Sequence, residues 1–157
     1  MDAVQDFYPD ELARCFGCGR LNERGYHLRT HWVDAHTETR FTPEPWHTAL
    51  PGFVNGGLLA SLVDCHATGT AAWAAYRSEG RGPETQPAHR FVTASLKVDY
   101  LRPTPLGPEL LLVGTVRSIS GRKVIVDVTL SANAQVTVKG EVVTVEMPES
   151  MRPTAMK

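Results

Sequence analysis

A glycine pair and one acid near the middle of the chain have the types and spacing needed to bind a carbonyl group and attack it. Gly56 and Gly57 follow an extended Phe53 and Val54 and open an apolar helix that carries Asp64. The first backbone N–H groups of a helix have no partner within it and carry partial positive charge. They stabilise an oxygen that gains negative charge, and a carboxylate can activate water or attack the carbonyl carbon itself.

The spacing of these groups predicts how many chains form the site. Gly56 and Asp64 are eight residues apart, which is roughly 12 Å along a helix at about 1.5 Å per residue. One carbonyl group cannot contact both residues of the same chain. If both act on one bond, the amide and the acid come from two antiparallel helices across a twofold axis. The sequence therefore predicts an obligate homodimer with two shared sites.

The surroundings of Asp64 distinguish two interpretations of this acid. Small side chains recur around it at helical spacing: Ala60, Ala67, Thr68, Ala71 and Ala75. The acid lies between Val63 and Cys65 in an apolar helix, where a carboxylate is more typical of a functional site. The alternative is a solvated or capping acid on a helix whose small residues only allow close packing.

Length and charge exclude several classes of function. The 157 residues are enough for one domain with its own core, and 16 basic against 17 acidic residues give a net charge of -1. This balance argues against a general binder of nucleic acid or acidic membranes. The start of the chain, MDAVQDFYPDELAR, is acidic and lacks the features of a signal peptide, and no apolar run reaches about 20 residues. We expect a cytoplasmic protein.

The three cysteines do not form a disulfide framework. Cys15 and Cys18 form half of a zinc knuckle, and no second cysteine pair exists. Other ligands would have to meet this pair through folding: His27, His31, Cys65 or His66. From the sequence we expect no metal ion and a tight turn that uses Gly17 and Gly19.

Periodicity predicts one long helix followed by a run of antiparallel strands. The first half reads as a short helix over 8–14, strands over 25–33 and 36–42, a loop over 46–51, and a central helix from about Asn55 to Arg77. Residues 78–90 read as a mobile surface loop. Later strands include 109–118 and 136–145, and Val124, Val126, Val128 and Leu130 alternate with outward residues. Such strands form an α+β fold, with one sheet face free to wrap the helix.

Four segments in this order resemble the hotdog-fold acyl-CoA thioesterases of the PaaI-like group, which includes the human Them proteins. They are CFGCG, PGFVNGGLLASLVD, VTASLKVDYLRPTPLG and SGRK, and they span nearly the whole chain. The family has His-Gly-Gly followed by Asp or Glu eight residues after the first Gly. The resemblance implies a single hotdog domain over 1–157, with an N-terminal helix and CxxC turn over 1–22. It also implies an antiparallel sheet around one long central helix, and homodimers that often pair into homotetramers.

The same resemblance assigns roles to particular residues. The N–H of Gly56, next to Gly57, would bind the thioester carbonyl, and Asp64 of the partner chain would act as general base or nucleophile. Thr93 falls where related enzymes place a hydroxyl that orients water. Its alternative role is that of a β-branched residue at the start of a strand.

Two departures from the family pattern affect the carbonyl site. Asn55 replaces the usual His, and Ala49 stands where some relatives have Asn or Gln. Asn55 can still donate a hydrogen bond, and His47 is close enough in sequence to replace a lost donor. These departures keep open a non-catalytic acyl-CoA binding or sensing protein as the alternative function.

The phosphates of coenzyme A require cations on the protein. Candidates flank the 118–121 hairpin or bound the preceding strand: Arg117, Arg122 and Lys123, or Arg90 and Arg102. Coenzyme A enters as part of the substrate, and no other cofactor is expected. A hydratase is disfavoured because His66, the only histidine on the helix, lies on a different face from Asp64.

Overall fold

The chain folds into one six-stranded sheet and one long helix, in a computed structural model that describes residues 2–153. The elements are β1 (His31–Val33), β2 (His36–Phe41), α1 (Gly56–Ser78), β3 (Phe91–Tyr100), β4 (Leu110–Ser120), β5 (Lys123–Ala132) and β6 (Gln135–Glu146). The strand order is β1-β2-β4-β5-β6-β3, and every neighbouring pair is antiparallel. This confirms the predicted α+β architecture of a sheet around a central helix.

Helix α1 begins at Gly56 because Asn55 caps it. The side-chain oxygen of Asn55 accepts a 3.1 Å hydrogen bond from the N–H of Leu58, and so satisfies one donor of the first turn. From Cys65 to Ala72 the helix is buried on every face. Three of the small side chains near Asp64 are therefore enclosed by protein: Ala67, Thr68 and Ala71.

The sheet packs its inner face against α1. In β5 the predicted alternation is confirmed, with Val124, Val126, Val128 and Leu130 all buried. Gly140 of β6 lies against Val63 of the helix, where a Cβ atom would overlap the valine side chain. This close approach fixes the depth at which the helix, and with it Asp64, lies on the sheet.

Strand β3 is an edge of the sheet and is unusually open. It pairs with β6 alone among the described residues, and all five residues over 93–97 are exposed. Leu96 is 40% exposed and Tyr100 is 53% exposed. A long edge strand with uncovered apolar side chains is typical of a surface that pairs with another strand.

Two predictions for the N-terminal half are wrong in detail. Instead of one helix over 8–14, two 3₁₀ helices (Val4–Phe7 and Asp10–Leu12) flank Pro9, which interrupts a continuous helix. Strand β1 covers only the end of the predicted 25–33 strand. The N–H groups of Tyr26 and Leu28 donate to carbonyls of the CxxC turn, so they are not free for a β-ladder.

A third 3₁₀ helix, Glu149–Met151, follows β6. The 78–90 segment leaves the end of α1 and is tied by Arg81, which donates to Pro87 and Thr85. Its predicted mobility stays a prediction. No helix within residues 2–153 combines the length and apolarity of a membrane span.

Candidate active site

Asp64 lies half-buried on α1 and faces the edge strand β3. The hydroxyl of Thr93 donates a short hydrogen bond to one carboxylate oxygen of Asp64. A β-bulge between Thr93 and Ser95 interrupts the register with β6 at this point, and bulges re-aim the side chains next to them. The hydroxyl orients the acid and leaves its other oxygen available to accept a proton.

The first turn of α1 presents backbone donors. The N–H groups of Gly56 and Gly57 have no hydrogen-bond partner among the described residues, whereas the N–H of Asn55 donates to the carbonyl of His47. Because the Asn55 side-chain oxygen caps the helix, this residue takes a structural role beside the two amides. The helix start therefore offers two free amides to an oxygen with negative charge.

Tyr100 fixes this helix start to the far end of β3. Its phenol donates a 2.7 Å hydrogen bond to the carbonyl of Gly56, and its ring lies 3.5 Å from where a Cβ of Gly56 would be. In the sequence, Tyr100 stands out only as part of the segment VTASLKVDYLRPTPLG, which carries the family resemblance. Its position in an exposed strand offered no sequence signal for a contact 44 residues away.

A cavity of about 490 Å³ opens beside the Gly56 end of α1. Its walls are largely apolar, with Leu50, Phe53, Leu59 and Leu101 among them, and of the described residues Arg102 alone among those that line it is charged. The cavity thus combines an apolar space, a free amide at its edge and one cation. This combination suits a ligand with an apolar tail and an anionic end.

His47 belongs to a different cavity from Gly56. Its Nδ1 accepts a 2.9 Å hydrogen bond from the N–H of Glu44, and its ring packs against Tyr26 and Phe41. His47 lines a cavity of about 860 Å³ that lies between residues 23–29 and strand β2. Nothing in this geometry directs the His47 ring to the carbonyl site.

The candidate phosphate-binding cations differ in whether other protein groups already bind them. Arg117 forms ion pairs with Asp127 and Glu141. Arg122 donates to the backbone carbonyl of Glu146, and Lys123 is exposed with no ion pair in the described part of the chain.

Arg90, the remaining cation of the predicted set, is half-buried against the N-terminal segment. Its guanidinium stacks over the ring of Tyr8, 4.8 Å from the ring centre, and lies 3.9 Å from the sulfur of Cys18. This packing directs Arg90 away from the surface cations.

His66 is fully buried in a polar network on the opposite side of α1 from Asp64. Its Nδ1 is 2.8 Å from the hydroxyl of Thr39, and its Nε2 is 3.2 Å from the hydroxyl of Thr37. Burial lowers the pKa of His66 to about 3. A neutral, fully bonded histidine here is part of the core, in agreement with its predicted separation from the acid.

The three cysteines meet where the CxxC turn packs against the middle of α1. The sulfurs of Cys15, Cys18 and Cys65 all lie within 4.8 Å of one another, and those of Cys15 and Cys65 are 3.8 Å apart. Hydrogen bonds from Cys18 and Cys65 hold the pKa of Cys15 well below its usual range, and the same sharing raises the pKa of Cys65. The sequence placed Cys65 near this pair only as one of several candidates.

Comparison with known proteins identifies the family to which this chain is similar. Residues 51–145 match the model of the Thioesterase superfamily. This range includes α1 and β3, and with them the Gly56 amide and the Asp64 carboxylate. A thioesterase superfamily protein from Shewanella loihica is 46% identical, with a TM-score of 0.66 over 81% of this chain and 96% of that one.

Acyl-coenzyme A thioesterase THEM4 of Xenopus laevis is 37% identical over 84 residues, which are 54% of this chain and 32% of that protein. The chain thus spans about a third of the length of the curated relatives that it matches. A Bacillus halodurans protein solved with CoA shares the fold, at 16% identity and a TM-score of 0.61 over 79% of this chain and 76% of that one. The family match covers the greater part of the chain, including every element that forms the candidate site, and this protein belongs to the thioesterase superfamily.

Proposed function

We propose that this protein is an acyl-CoA thioesterase with two identical sites, each built across a homodimer interface. In each site an N–H of Gly56 binds the thioester carbonyl, and the partner subunit's Asp64 activates water. The observation that carries the proposal is that β3 contacts both groups, at opposite ends. Thr93 bonds Asp64, and Tyr100 bonds Gly56.

Pairing of two β3 strands across a dimer interface would bring opposite ends of the two strands together. An antiparallel pair centred on Lys97 sets the Thr93 end of one strand opposite the Tyr100 end of the other, because the bulge between Thr93 and Ser95 takes up one residue of the register. The acid of one chain then approaches the helix start of its partner, as the roughly 12 Å separation within one chain requires. The open edge of β3 and its exposed Leu96 support this interface.

The chemistry needs few groups because a thiolate leaves a carbonyl readily. As general base, Asp64 takes a proton from water while the oxygen of that water adds to the carbonyl carbon. The negative charge that develops on the carbonyl oxygen is stabilised by the amide of Gly56. The carbon–sulfur bond then breaks, the sulfur takes the proton back from the acid, and a carboxylic acid and coenzyme A leave. Thr93 keeps the carboxylate oriented throughout.

The cavity beside Gly56 suits the acyl group, and Arg102 at its wall suits an anionic part of the carrier. Arg122 and Lys123 stay candidates for the outer phosphates. Arg90 is assigned no contact with substrate here, since it is packed against Tyr8 and Cys18. Further pairing of dimers into tetramers stays a prediction.

A complementation experiment tests both the activity and the shared site. Asp64→Asn chains and Gly56→Pro chains, the latter lacking the backbone N–H at a first helical position that tolerates proline, each carry a different affinity tag. They are purified as homodimers and as selected heterodimers, and thiol release is measured with a panel of acyl-CoAs. Both homodimers should be inactive. The heterodimer should regain about half of the parent activity, because one of its two sites keeps an intact amide and an intact acid.

The other outcomes are equally informative. A heterodimer that stays inactive while the parent turns over substrate would contradict the shared site. A parent protein that binds acyl-CoA without releasing thiol would instead support the non-catalytic binding function that Asn55 leaves open.

A further inference from the structure

We propose that Cys15, Cys18 and Cys65 bind one zinc ion as thiolates and so join the N-terminal turn to helix α1. This proposal does not depend on the proposed enzymatic activity. It differs from the expectation of no metal drawn from the sequence, because only the folded chain brings the third cysteine to the pair.

The arrangement of the sulfurs fits a zinc ion. A Zn–S bond is about 2.3 Å, so two sulfurs on a tetrahedral zinc are separated by about 3.8 Å. The sulfurs of Cys15 and Cys65 are 3.8 Å apart, and the Cys18 sulfur lies within 4.8 Å of both. A shift of less than about 1 Å by one side chain completes three corners of a tetrahedron.

The turn that carries the first two cysteines has the form of a metal knuckle. The neighbouring thiols, and to a smaller extent the backbone N–H groups of Gly17 and Cys18, lower the pKa of Cys15, and this favours negative charge on its sulfur. Gly17 also lies against Cys65, where any Cβ would overlap the thiol. The glycine therefore lets the turn approach the third sulfur.

The positive charge of Arg90 beside the three sulfurs favours an anionic thiolate site over a neutral disulfide. Arg90 lies 3.9 Å from the Cys18 sulfur and forms no ion pair with a carboxylate in the described part of the chain. Three thiolates on Zn²⁺ leave one net negative charge for this guanidinium to balance. A Cys15–Cys65 disulfide would be neutral, would leave Cys18 unused, and would give Arg90 no counter-charge.

The buried hydroxyl of Tyr8, whose ring lies beside Arg90, has no hydrogen-bond partner over 2–153. Tyr8 is 2% exposed, and its hydroxyl is the one buried side-chain oxygen or nitrogen over 2–153 without a hydrogen bond. The Tyr8 ring lies under Arg90. Since buried hydroxyls are rarely left unpaired, the Tyr8 hydroxyl is a candidate partner for a polar group bound beside Arg90.

No fourth protein ligand joins the three thiols within the described range. The fourth position would then be taken by water, which can enter past the half-exposed Cys15. Binding releases up to three thiol protons to solvent. The bound metal would hold the CxxC turn against α1 at Cys65, the residue next to Asp64.

Metal content and a cobalt spectrum test the proposal. The protein, purified without a polyhistidine tag, should contain about one zinc per chain by mass spectrometry of the metal. Cys15→Ser, Cys18→Ser and Cys65→Ser should each lose it, whereas the matched control His27→Asn, which removes an exposed histidine, should retain it. Wild-type protein stripped with a chelator and titrated with Co²⁺ should develop thiolate-to-cobalt charge-transfer absorption that saturates at one equivalent.

The cobalt measurement keeps the test decisive if the cysteine variants fail to fold. Wild-type protein with no zinc and no thiolate-to-cobalt absorption would overturn the proposal. So would freshly purified, metal-free protein whose mass is lower by two hydrogens and whose Cys15 and Cys65 are linked. Zinc that is lost from the His27→Asn control but not from the cysteine variants would mark surface binding and would also overturn it.

Discussion

The phenol of Tyr100 donates a 2.7 Å hydrogen bond to the carbonyl of Gly56, and so couples the last residue of β3 to the first residue of α1. Seven residues earlier on the same strand, Thr93 bonds Asp64. One strand thus positions both groups of the candidate site. Changes in β3 should therefore affect catalysis without touching either Gly56 or Asp64.

Replacement of Tyr100 by phenylalanine should lower kcat more than stability. The substitution removes the hydrogen bond to the helix start and keeps the ring packed on Gly56. Because Tyr100 is 53% exposed, the loss in unfolding free energy should be at most about 1 kcal/mol. We expect a several-fold fall in acyl-CoA hydrolysis, measured with urea unfolding in parallel. Unchanged kcat would contradict a positioning role for Tyr100.

Loss of the Thr93 hydroxyl should weaken catalysis less than loss of the acid. Asp64→Asn removes the general base and should cost about 10² to 10⁴ in kcat. Thr93→Val removes only the hydrogen bond that orients the acid, and should cost about tenfold at a nearly unchanged KM. Thr93→Ser, which keeps a hydroxyl, is the control and should retain most of the activity. Equal losses in the Val and Ser variants would rule out the orienting hydrogen bond.

A charge at the centre of β3 should separate the subunits. Leu96→Lys places two like charges near the proposed twofold axis, where they would lie close together and be partly desolvated. We expect the variant to elute as a monomer in size-exclusion chromatography with light scattering, and to lose activity. Ile119→Lys changes a similarly exposed residue, 47% exposed at the end of β4, and should stay dimeric and active. A monomeric but fully active Leu96→Lys protein would contradict the shared site.

His66 should make the fold less stable in mild acid. Its pKa is lowered to about 3 by burial and returns to about 6.5 when the chain unfolds. Between these values the unfolded chain binds a proton that the folded chain does not. The folded state is therefore not penalised by this proton above pH 6.5. As the pH falls from 7 to 5, the free energy of unfolding decreases by about 2 kcal/mol.

Urea unfolding at the two pH values measures this effect. His66→Gln should show a pH dependence weaker by about that amount. His27→Asn, at an exposed residue with φ of 53° that asparagine tolerates, should behave as the parent. An unchanged pH dependence in His66→Gln would show that the buried imidazole does not govern acid stability.

Local pattern was sufficient for much of the fold. The alternation in β5 and the small, apolar composition of α1 depend on neighbours within a few residues, so periodicity predicted these elements and their antiparallel order. The prediction was wrong where distant contacts replaced local preference. Tyr26 and Leu28 give their amides to the CxxC turn rather than to a strand, and no local pattern reveals such partners.

The sequence alone determined that Gly56 and Asp64 stand on one helix too far apart to act on a single carbonyl, because the rise of a helix is the same in every protein. Only the tertiary structure decided which side chains meet them. Thr93 reaches Asp64 across 29 residues, Tyr100 reaches Gly56 across 44, and Cys65 reaches Cys15 across 50. These contacts follow from how the sheet wraps the helix, and that packing depends on the whole core at once rather than on any segment.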